Sequence, residues 1–309
     1  MNIVVTGADG FVGRTLVKML LESKSLGVSS LKLLDQQFKT AYTDARVETL
    51  TGDFWTSKAL EQPLDLVFHL ASIPGGASER DYDLGRRVNL EGTIAFFEAL
   101  RAQSKPPVVV FASTIAVYGS PLPALVNAST PVKPNSSYGT QKLIAELLLE
   151  DFTRRGFVDA RIVRLPGIVA RPLEVSGLVS AFMSDVMRRL AAGEAFTSPV
   201  SPEALMWWMS AQCCAQNLIH AASIPSAQFT SSRVTLLPAL YATMQDIVSG
   251  IAEIFGADRL ELIRFDPDVQ VEAGFGRFPP MDSSVAEALG FAHDGSVLAL
   301  IKNALKPSD

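Results

Sequence analysis

The sequence predicts an α/β protein with a doubly wound parallel sheet and a smaller C-terminal α/β lobe. Two observations lead to this prediction. In the first half of the chain, short apolar runs rich in β-branched residues alternate with helical patterns, which indicates right-handed crossovers and a parallel sheet. After residue 167 this alternation gives way to mostly helical patterns, which indicates a second, smaller unit.

Each predicted element follows from a local pattern of apolar and turn-forming residues. The predicted strands are Ile3–Thr6, Leu31–Asp35, Val47–Leu50, Leu66–Leu70, Val108–Ser113, Arg161–Leu165 and Val234–Leu237. The predicted helices are Phe11 to about Glu22, Val88–Ala102, Tyr138–Arg154, Val179–Leu190, Ala211–Ala222, Met244–Phe255 and Ser296–Leu305. The Pro- and Ser-rich stretch 120–137 can continue neither kind of element, so we predict a loop that is long enough to be a lid or a substrate wall, with a plain connector as the alternative.

Charge and cysteine content exclude several classes of function. The net charge of -5 disfavours binding to a phosphate backbone, so we expect no nucleic-acid partner. The two cysteines, Cys213 and Cys214, are adjacent, and the three histidines are far apart in the sequence, so neither a disulfide framework nor a metal site is expected. No apolar run is long enough to cross a membrane, and no secretion signal precedes the first strand. We therefore expect a cytoplasmic protein.

A glycine-rich segment, residues 7–13, lies between the first predicted strand and the first predicted helix and has the spacing GxxGxxG. Residues without a Cβ allow a tight turn that brings backbone N–H groups against a pyrophosphate, and a helix N-terminus favours its negative charge. A plain glycine-rich turn is the alternative. We predict a Rossmann-type dinucleotide site whose binding residues are Gly7, Gly10, Phe11, Val12 and Gly13.

Two acidic residues follow the next predicted strands. Asp35 ends the second strand, 22 residues after Gly13, where a carboxylate accepts hydrogen bonds from the adenosine ribose. The same charge repels a 2′-phosphate, so the predicted cofactor is NAD and not NADP. Asp53 follows the third strand and is predicted to reach the adenine amino group, with a simple turn aspartate as the alternative.

Tyr138 and Lys142 are spaced i, i+4 at the start of a predicted helix, so they share one face of it. A phenol with a pKa near 10 is too weakly ionised to act as a base at neutral pH. An ammonium about 4 Å away at an effective dielectric constant of 20 contributes roughly 4 kcal/mol, or about three pKa units. The pair can therefore supply a general base, although an exposed Tyr and Lys in a first turn would show the same spacing.

The order of these motifs resembles that of the extended short-chain dehydrogenases/reductases, the NAD-dependent epimerase/dehydratase family. The likeness spans nearly the whole chain and rests on the glycine loop, on Phe-Ala-Ser-Thr-Ile-Ala-Val-Tyr-Gly at 111–119 and on Tyr-Gly-Thr-Gln-Lys at 138–142. It implies a catalytic triad in which Thr114 positions the substrate hydroxyl and Tyr138 is the base. Lys142 would lower the pKa of the phenol and hold the nicotinamide ribose.

The same resemblance implies further residues around the cofactor and the substrate. Beyond the glycine loop and the two aspartates, the cofactor-binding residues would be Leu70, Ala71, Ser113, Tyr138 and Lys142. Ser72 and Thr114 are placed on the substrate side. His69 and Asn89 also match positions of the family, and we expect both to be structural.

Within this family, residues 81–89 and 136–172 resemble NAD-dependent dehydrogenases of four-carbon sugar acids. This predicts oxidation of the 2-hydroxyl of a short sugar acid to the 2-keto acid. A nucleotide-sugar epimerase or dehydratase with the same triad is the alternative, and a non-catalytic NAD(H)-binding scaffold is a third. Gly167 and residues 206–211 depart from the pattern of the sugar-acid enzymes, which leaves the substrate and its stereochemistry open; Trp207 and Trp208 could equally be core residues.

The second half of the chain supplies one candidate for substrate recognition. Arg171 follows the predicted strand end at Gly167, and a guanidinium suits a bidentate bond to a sugar-acid carboxylate. A diphosphate would attract the same side chain, and a solvated surface charge is the third interpretation. We expect residues 1–169 and 207–240 to bind NAD and residues 170–206 and 241–309 to bind the small-molecule substrate. A homodimer is left open.

Overall fold

The computed structural model describes residues 1–23, 26–173, 179–229 and 232–305. The strands are β1 (Asn2–Thr6), β2 (Ser30–Asp35), β3 (Val47–Thr51), β4 (Leu66–His69), β5 (Val108–Thr114), β6 (Asp159–Leu165), β7 (Gly167–Val169), β8 (Phe196–Ser198), β9 (Leu205–Ser210), β10 (Val234–Leu236), β11 (Leu240–Thr243) and β12 (Ile263–Phe265). The strands predicted from apolar runs in the first half all form, with ends that differ by one or two residues.

The helices alternate with the strands in the first half and dominate the second. They are α1 (Phe11–Glu22), α2 (Gly75–Arg80), α3 (Tyr82–Gly85), α4 (Thr93–Arg101), α5 (Ser137–Arg154), α6 (Phe182–Ala191), α7 (Ala211–Ser223), α8 (Met244–Phe255), α9 (Val269–Phe275), α10 (Ser284–Ala288) and α11 (Val297–Leu305). A π-helical segment, Arg86–Gly92, continues directly into α4. None of the described helices is long and apolar enough to span a membrane.

Seven strands form one sheet in the order β10-β6-β5-β4-β1-β2-β3, and every neighbouring pair is parallel. This confirms the predicted doubly wound α/β class. Because the strands are parallel, the carboxyl ends of β1, β2, β4 and β5 lie at one edge of the sheet, where ligands bind in folds of this class. Thr6 pairs with His69, and His69 pairs with Phe111, so the segments that follow these strands are neighbours.

By its contacts the chain divides into two units. The first comprises residues 1–119, 132–165 and 215–236, and the second comprises residues 120–131, 166–214 and 237–309. In the first unit, apolar side chains of β1, β4, β5 and β6 pack against α4 and α5, with Phe96, Phe97 and Phe111 fully buried. These units are defined by contacts within the protein and not by ligands. The assignment of residues 1–169 and 207–240 to NAD, and of residues 170–206 and 241–309 to the substrate, therefore stays a prediction.

The second unit contains two small sheets. One has the strand order β11-β9-β7, in which β9 pairs antiparallel with β11 and parallel with β7; the other pairs β12 with β8. The helices α6, α8 and α11 cover a core that includes Trp208. Trp207 and Trp208 are fully buried, and their indole N–H groups donate to the carbonyls of Pro279 and Ala242. Both tryptophans are thus core residues of this unit.

Candidate active site

The glycine loop connects β1 to α1 at the carboxyl edge of the large sheet. The N–H of Gly7 donates to the carbonyl of Leu34 at 2.8 Å, which attaches the loop to β2. Helix α1 begins at Phe11 with Gly10 at the N-cap, and in the described chain no side chain caps it. The first turn of α1 therefore presents its backbone N–H groups at this end, which is the arrangement that binds phosphate.

Gly13 lets the first turn of α1 lie directly against the loop. A Cβ built on Gly13 would lie 2.1 Å from the carbonyl oxygen of Gly7 and 2.7 Å from that of Ala8, far inside van der Waals contact. The third glycine of the motif is thus required by the packing of the loop against the start of α1. These residues fit the pyrophosphate of a dinucleotide.

Asp35 lies at the end of β2, next to the glycine loop. Its carboxylate accepts the N–H of Asp9 at 2.9 Å and the N–H of Gln36 at 2.7 Å. Burial raises the pKa of Asp35, the charge of Asp9 raises it further, and the backbone hydrogen bonds oppose the increase. Gln36 in turn donates from Nε2 to the carboxylate of Asp53 at 2.9 Å. Both predicted acidic residues therefore belong to one connected group beside the glycine loop.

The segment after β4 is held by two polar contacts. Thr6 Oγ1 accepts the N–H groups of Leu70 and Ala71 at 3.2 and 3.1 Å, and it also lies 2.7 Å from His69 Nδ1. Burial, followed by the charge of Lys142, lowers the pKa of His69 well below its usual value, so His69 is a neutral core residue. This agrees with its expected structural role.

Asn89 connects the segment after β4 to helix α5. Its Oδ1 accepts from Ser72 Oγ at 3.1 Å and from the N–H of Ile73 at 2.7 Å, and its Nδ2 donates to Gln141 Oε1 at 3.0 Å. Ser72, a predicted substrate residue, is therefore fixed relative to the helix that carries Tyr138 and Lys142. The role of Ser72 toward a substrate stays a prediction.

Thr114 and Tyr138 come from β5 and from the first turn of α5. Ser136 caps α5 by accepting the N–H of Gly139 at 3.1 Å. A Cβ on Gly139 would lie 2.6 Å from the carbonyl oxygen of Ala116, so the glycine allows the start of α5 to approach the turn that follows β5. Thr114 Oγ1 accepts the N–H of Ala116 at 3.1 Å in that turn. The local sequence thus places Tyr138 beside the end of β5.

Lys142 is buried, with 3% of its surface exposed. Its Nζ donates to the carbonyl of Ala112 at 3.0 Å, and lies 4.7 Å from the ring centroid of Phe111 and 5.8 Å from that of Tyr138. Burial lowers the pKa of Lys142 to about 7, and the charge of Glu146 opposes that shift. The effect of burial therefore outweighs that of Glu146, and this amine releases its proton more readily than an exposed lysine does.

A buried ion pair adjoins Lys142, and the sequence reasoning missed it. Arg164 on β6 donates to Glu146 on α5 through Nε at 3.1 Å and through Nη2 at 2.7 Å. Ser113, which we expected on the cofactor side, donates its hydroxyl proton to the same carboxylate. Two signals could have found the pair: Glu146 is four residues after Lys142, and Arg164 places a charge directly after the apolar residues Ile162 and Val163 of a predicted strand.

The remaining predicted residues lie in the second unit. Arg188 on α6 donates from Nε to the carbonyl of Arg171 at 2.7 Å and from Nη2 to that of Ala170 at 2.6 Å, which fixes the backbone that carries the Arg171 side chain. A Cβ on Gly167 would lie 2.9 Å from the carbonyl oxygen of Trp207, so β7 and β9 approach too closely there for a larger side chain, which explains the glycine at this departure from the pattern. Within the described ranges, no group of three His, Cys, Asp or Glu residues could hold a metal ion.

Comparison with known proteins decides the family. The model of the family described as NAD dependent epimerase/dehydratase matches residues 3–224. The chain belongs to this family. It is 36% identical to a D-erythronate dehydrogenase of Cupriavidus necator over 98% of this chain and 97% of that protein. A D-erythronate dehydrogenase of Haemophilus influenzae is 34% identical, with 98% of each chain covered.

A solved structure of this family adds a full-length match. The crystal structure of the nucleoside-diphosphate-sugar epimerase from Agrobacterium tumefaciens has a TM-score of 0.90 and 34% identity, and covers 98% of this chain and 92% of that one. These findings confirm the predicted family, the fold and an NAD-dependent dehydrogenase of the extended short-chain type. NAD is thus the cofactor that the glycine loop and Asp35 fit.

Proposed function

We propose that this enzyme oxidises the 2-hydroxyl of a short sugar acid such as D-erythronate to the 2-keto acid. The observation that carries the proposal is the match with two D-erythronate dehydrogenases over essentially the whole length of all three chains, since this match includes both units of the chain. NAD, when bound, supplies the hydride acceptor.

In the proposed mechanism Tyr138 is the base and takes the proton of the substrate hydroxyl at its Oη. Thr114 positions that hydroxyl from the end of β5. Lys142 Nζ lies 5.8 Å from the ring centroid of Tyr138, and in its charged form it stabilises the phenolate. The buried contact of the amine with the Ala112 carbonyl keeps Nζ in place during the proton transfer.

Cofactor binding is assigned to groups at the carboxyl edge of the large sheet. We propose that residues 7–13 hold the pyrophosphate, with the backbone N–H groups of residues 11–13 at the start of α1 as donors, and that Asp35 accepts from the adenosine ribose. Asp53 would reach the adenine, and Leu70, Ala71 and Ser113 would contact the rest of the cofactor. Because Ser113 donates its proton to Glu146, it would serve NAD as a hydrogen-bond acceptor.

Arg171 is proposed to bind the substrate carboxylate. A planar guanidinium forms two parallel hydrogen bonds to a carboxylate, and the carbonyl of Arg171 is fixed by Arg188. We expect Arg171→Lys to raise KM for the sugar acid several-fold while the Kd of NAD, measured by calorimetry, stays unchanged. An unaltered KM in this variant would remove Arg171 from the substrate site.

A nucleotide-sugar epimerase is the second candidate, favoured by the full-length likeness to the Agrobacterium tumefaciens structure. Such an enzyme would use the same Tyr and Lys but would return the hydride to its substrate, so no reduced cofactor would accumulate. The two functions therefore differ in their net reaction.

The test is NADH formation with a panel of four-carbon sugar acids, followed at 340 nm, beside UDP-glucose and UDP-galactose interconversion followed by NMR. The proposal predicts NADH with at least one sugar acid, no interconversion of the sugar nucleotides, and neither activity in Tyr138→Phe. Sugar-nucleotide interconversion without NADH would establish the epimerase, and NAD binding with neither activity would favour the scaffold.

Three further assignments accompany this function. We propose that residues 1–169 and 207–240 bind NAD and that residues 170–206 and 241–309 bind the substrate. We place the enzyme in the cytoplasm, where the buried free thiols of Cys213 and Cys214 stay reduced. A homodimer is the assembly to test, by light scattering with and without NAD.

A further inference from the structure

A carboxylate with no role in the proposed reaction is fixed one turn along α5 from Lys142. Glu146 is 1% exposed and accepts hydrogen bonds from Arg164 on β6 and from Ser113 on β5. Arg164 also donates from Nη1 to the hydroxyl of Tyr118 at 3.1 Å. Three elements of the first unit thus hold one buried carboxylate in a single orientation.

The charged and titratable groups around Lys142 come from every element packed against it. Helix α5 contributes Tyr138 and Glu146, β4 contributes His69, and β6 contributes Arg164 through its bond to Glu146. Strand β5 contributes the carbonyl of Ala112 and the ring of Phe111. His69 is neutral, because burial lowers its pKa. The described part of the chain therefore gives Lys142 one negative neighbour, Glu146.

Arg164 and Lys142 respond differently to a loss of that negative charge. A guanidinium does not release its proton in a protein, whereas a buried amine does so readily. If Glu146 were uncharged, two buried cations would remain without a carboxylate between them. Lys142 is the one that would become neutral, and Tyr138 would lose the positive charge that favours its phenolate.

We propose that Glu146, held by Arg164, is a positioning residue that keeps Lys142 protonated and so allows Tyr138 to ionise near neutral pH. The inference rests on the roles proposed above for Tyr138 and Lys142. It assigns Glu146 and Arg164 opposite effects on Tyr138. Neutralising Glu146 removes the negative charge beside Lys142 and leaves the cation of Arg164, whereas neutralising Arg164 removes that cation and leaves the carboxylate of Glu146 to act on Lys142 alone.

The two variants that neutralise these residues should therefore shift the pKa of Tyr138 in opposite directions. In Glu146→Gln, Arg164 remains as a fixed cation, Lys142 loses its proton at lower pH, and the pKa of Tyr138 rises. In Arg164→Gln, the carboxylate of Glu146 faces Lys142 without its guanidinium partner, Lys142 stays protonated to higher pH, and the pKa of Tyr138 falls. A purely structural pair would shift Tyr138 in the same direction in both variants or in neither.

The experiment is a spectroscopic titration of Tyr138 that requires no turnover. The chain has five tyrosines, so the absorbance of phenolate at 295 nm is recorded for each protein and for the same protein carrying Tyr138→Phe, and the difference gives Tyr138 alone. For a charge about 6 Å away at an effective dielectric constant of 20, we expect shifts of at least about one pH unit. Glu150→Gln is the matched control, because Glu150 is one turn further along α5 and accepts from Ser232 at 2.8 Å.

The proposal is supported if the pKa of Tyr138 rises in Glu146→Gln, falls in Arg164→Gln and is unchanged in Glu150→Gln. Equal shifts in the first two variants, or none, would overturn the proposal. If Glu146→Gln does not fold by circular dichroism, Glu146→Asp keeps the charge and must leave the titration of Tyr138 unchanged, while the Arg164→Gln result decides the sign. A chain that oxidises no sugar acid still gives this titration, so failure of the proposed function is distinguishable from failure of this inference.

Discussion

The two ends of the candidate site in the first unit are built from different kinds of groups. At the glycine loop, the groups that fit the cofactor are backbone N–H groups at the start of α1, together with the partly buried carboxylate of Asp35. At the other end, Lys142 is a buried amine. Burial lowers its pKa, and the charge of Glu146, which is bonded to Arg164 on β6, opposes that shift. A site made of backbone is determined by a short segment, whereas the chemistry of a buried charge depends on distant partners.

The largest effect should appear at the catalytic end. Tyr138→Phe removes the phenolic oxygen that we propose as the acceptor of the substrate proton, so kcat should fall by roughly 10²–10⁴-fold. The Kd of NAD should change little, because the phenol acts in proton transfer. Steady-state kinetics and calorimetry check the two halves of this prediction, with Tyr82→Phe, at an exposed position, as the control. Normal kcat in Tyr138→Phe would contradict the assignment of the base.

At the cofactor end, Gly13→Ala should abolish measurable NAD binding. The added methyl group would lie 2.1 Å from the carbonyl oxygen of Gly7, so the loop must move away from the start of α1. Gly274→Ala is the matched control, because a Cβ there meets nothing within 4 Å. Equal NAD affinity in both variants, measured by calorimetry, would show that the loop does not hold the cofactor.

The burial of Lys142 predicts a pH dependence of stability. Its pKa is about 7 in the folded chain, whereas a lysine in the unfolded chain has its ordinary pKa of 10.5. Between these two pH values the unfolded chain therefore binds more protons than the folded chain. The free energy of unfolding should therefore rise with pH in this window, by up to about 1.4 kcal/mol per pH unit from this group.

Lys142→Met should lose this slope between pH 7 and 10. Urea unfolding across that range gives the measurement, and Lys105→Met, at an exposed position, should retain the slope of the parent protein. A slope that persists in Lys142→Met would mean that the amine keeps its proton in the folded chain.

The smallest effect concerns the choice between NAD and NADP. Asp35→Ala removes the carboxylate that we propose to accept from the adenosine ribose, a charge that would repel a 2′-phosphate. The ratio of kcat/KM for NAD over NADP should fall at least about tenfold, which corresponds to about 1.4 kcal/mol. Glu48→Ala, on β3, is the control. Equal use of both cofactors by the unaltered enzyme would contradict the role of Asp35.

The contrast between the two ends also explains what could be predicted from the sequence. The strands of the large sheet and the glycine loop were predictable because each follows from adjacent residues, such as the apolar run that forms β5. In the second unit, β7, β8 and β12 are three residues long and β9 lies in a run that periodicity does not separate from a helix, so these strands were missed.

The catalytic spacing was predictable for the same reason, since Tyr138 and Lys142 share one helix. The partners of Lys142 were not, because the bond between Arg164 and Glu146 joins β6 to α5 and the hydroxyl of Ser113 comes from β5. Local spacing leads to the proposal that Tyr138 is the base. It does not predict the buried contacts that surround the neighbouring amine.

Transfer of deuterium from the substrate tests the central claim most directly. D-erythronate labelled with deuterium at C2 is incubated with the enzyme and NAD, and the reduced cofactor and the product are examined by NMR. Oxidation of the 2-hydroxyl predicts deuterium in the reduced cofactor, a 2-keto acid without it, and slower NADH formation than with unlabelled substrate. Deuterium retained in the product, at an unchanged rate of NADH formation, would contradict oxidation at C2.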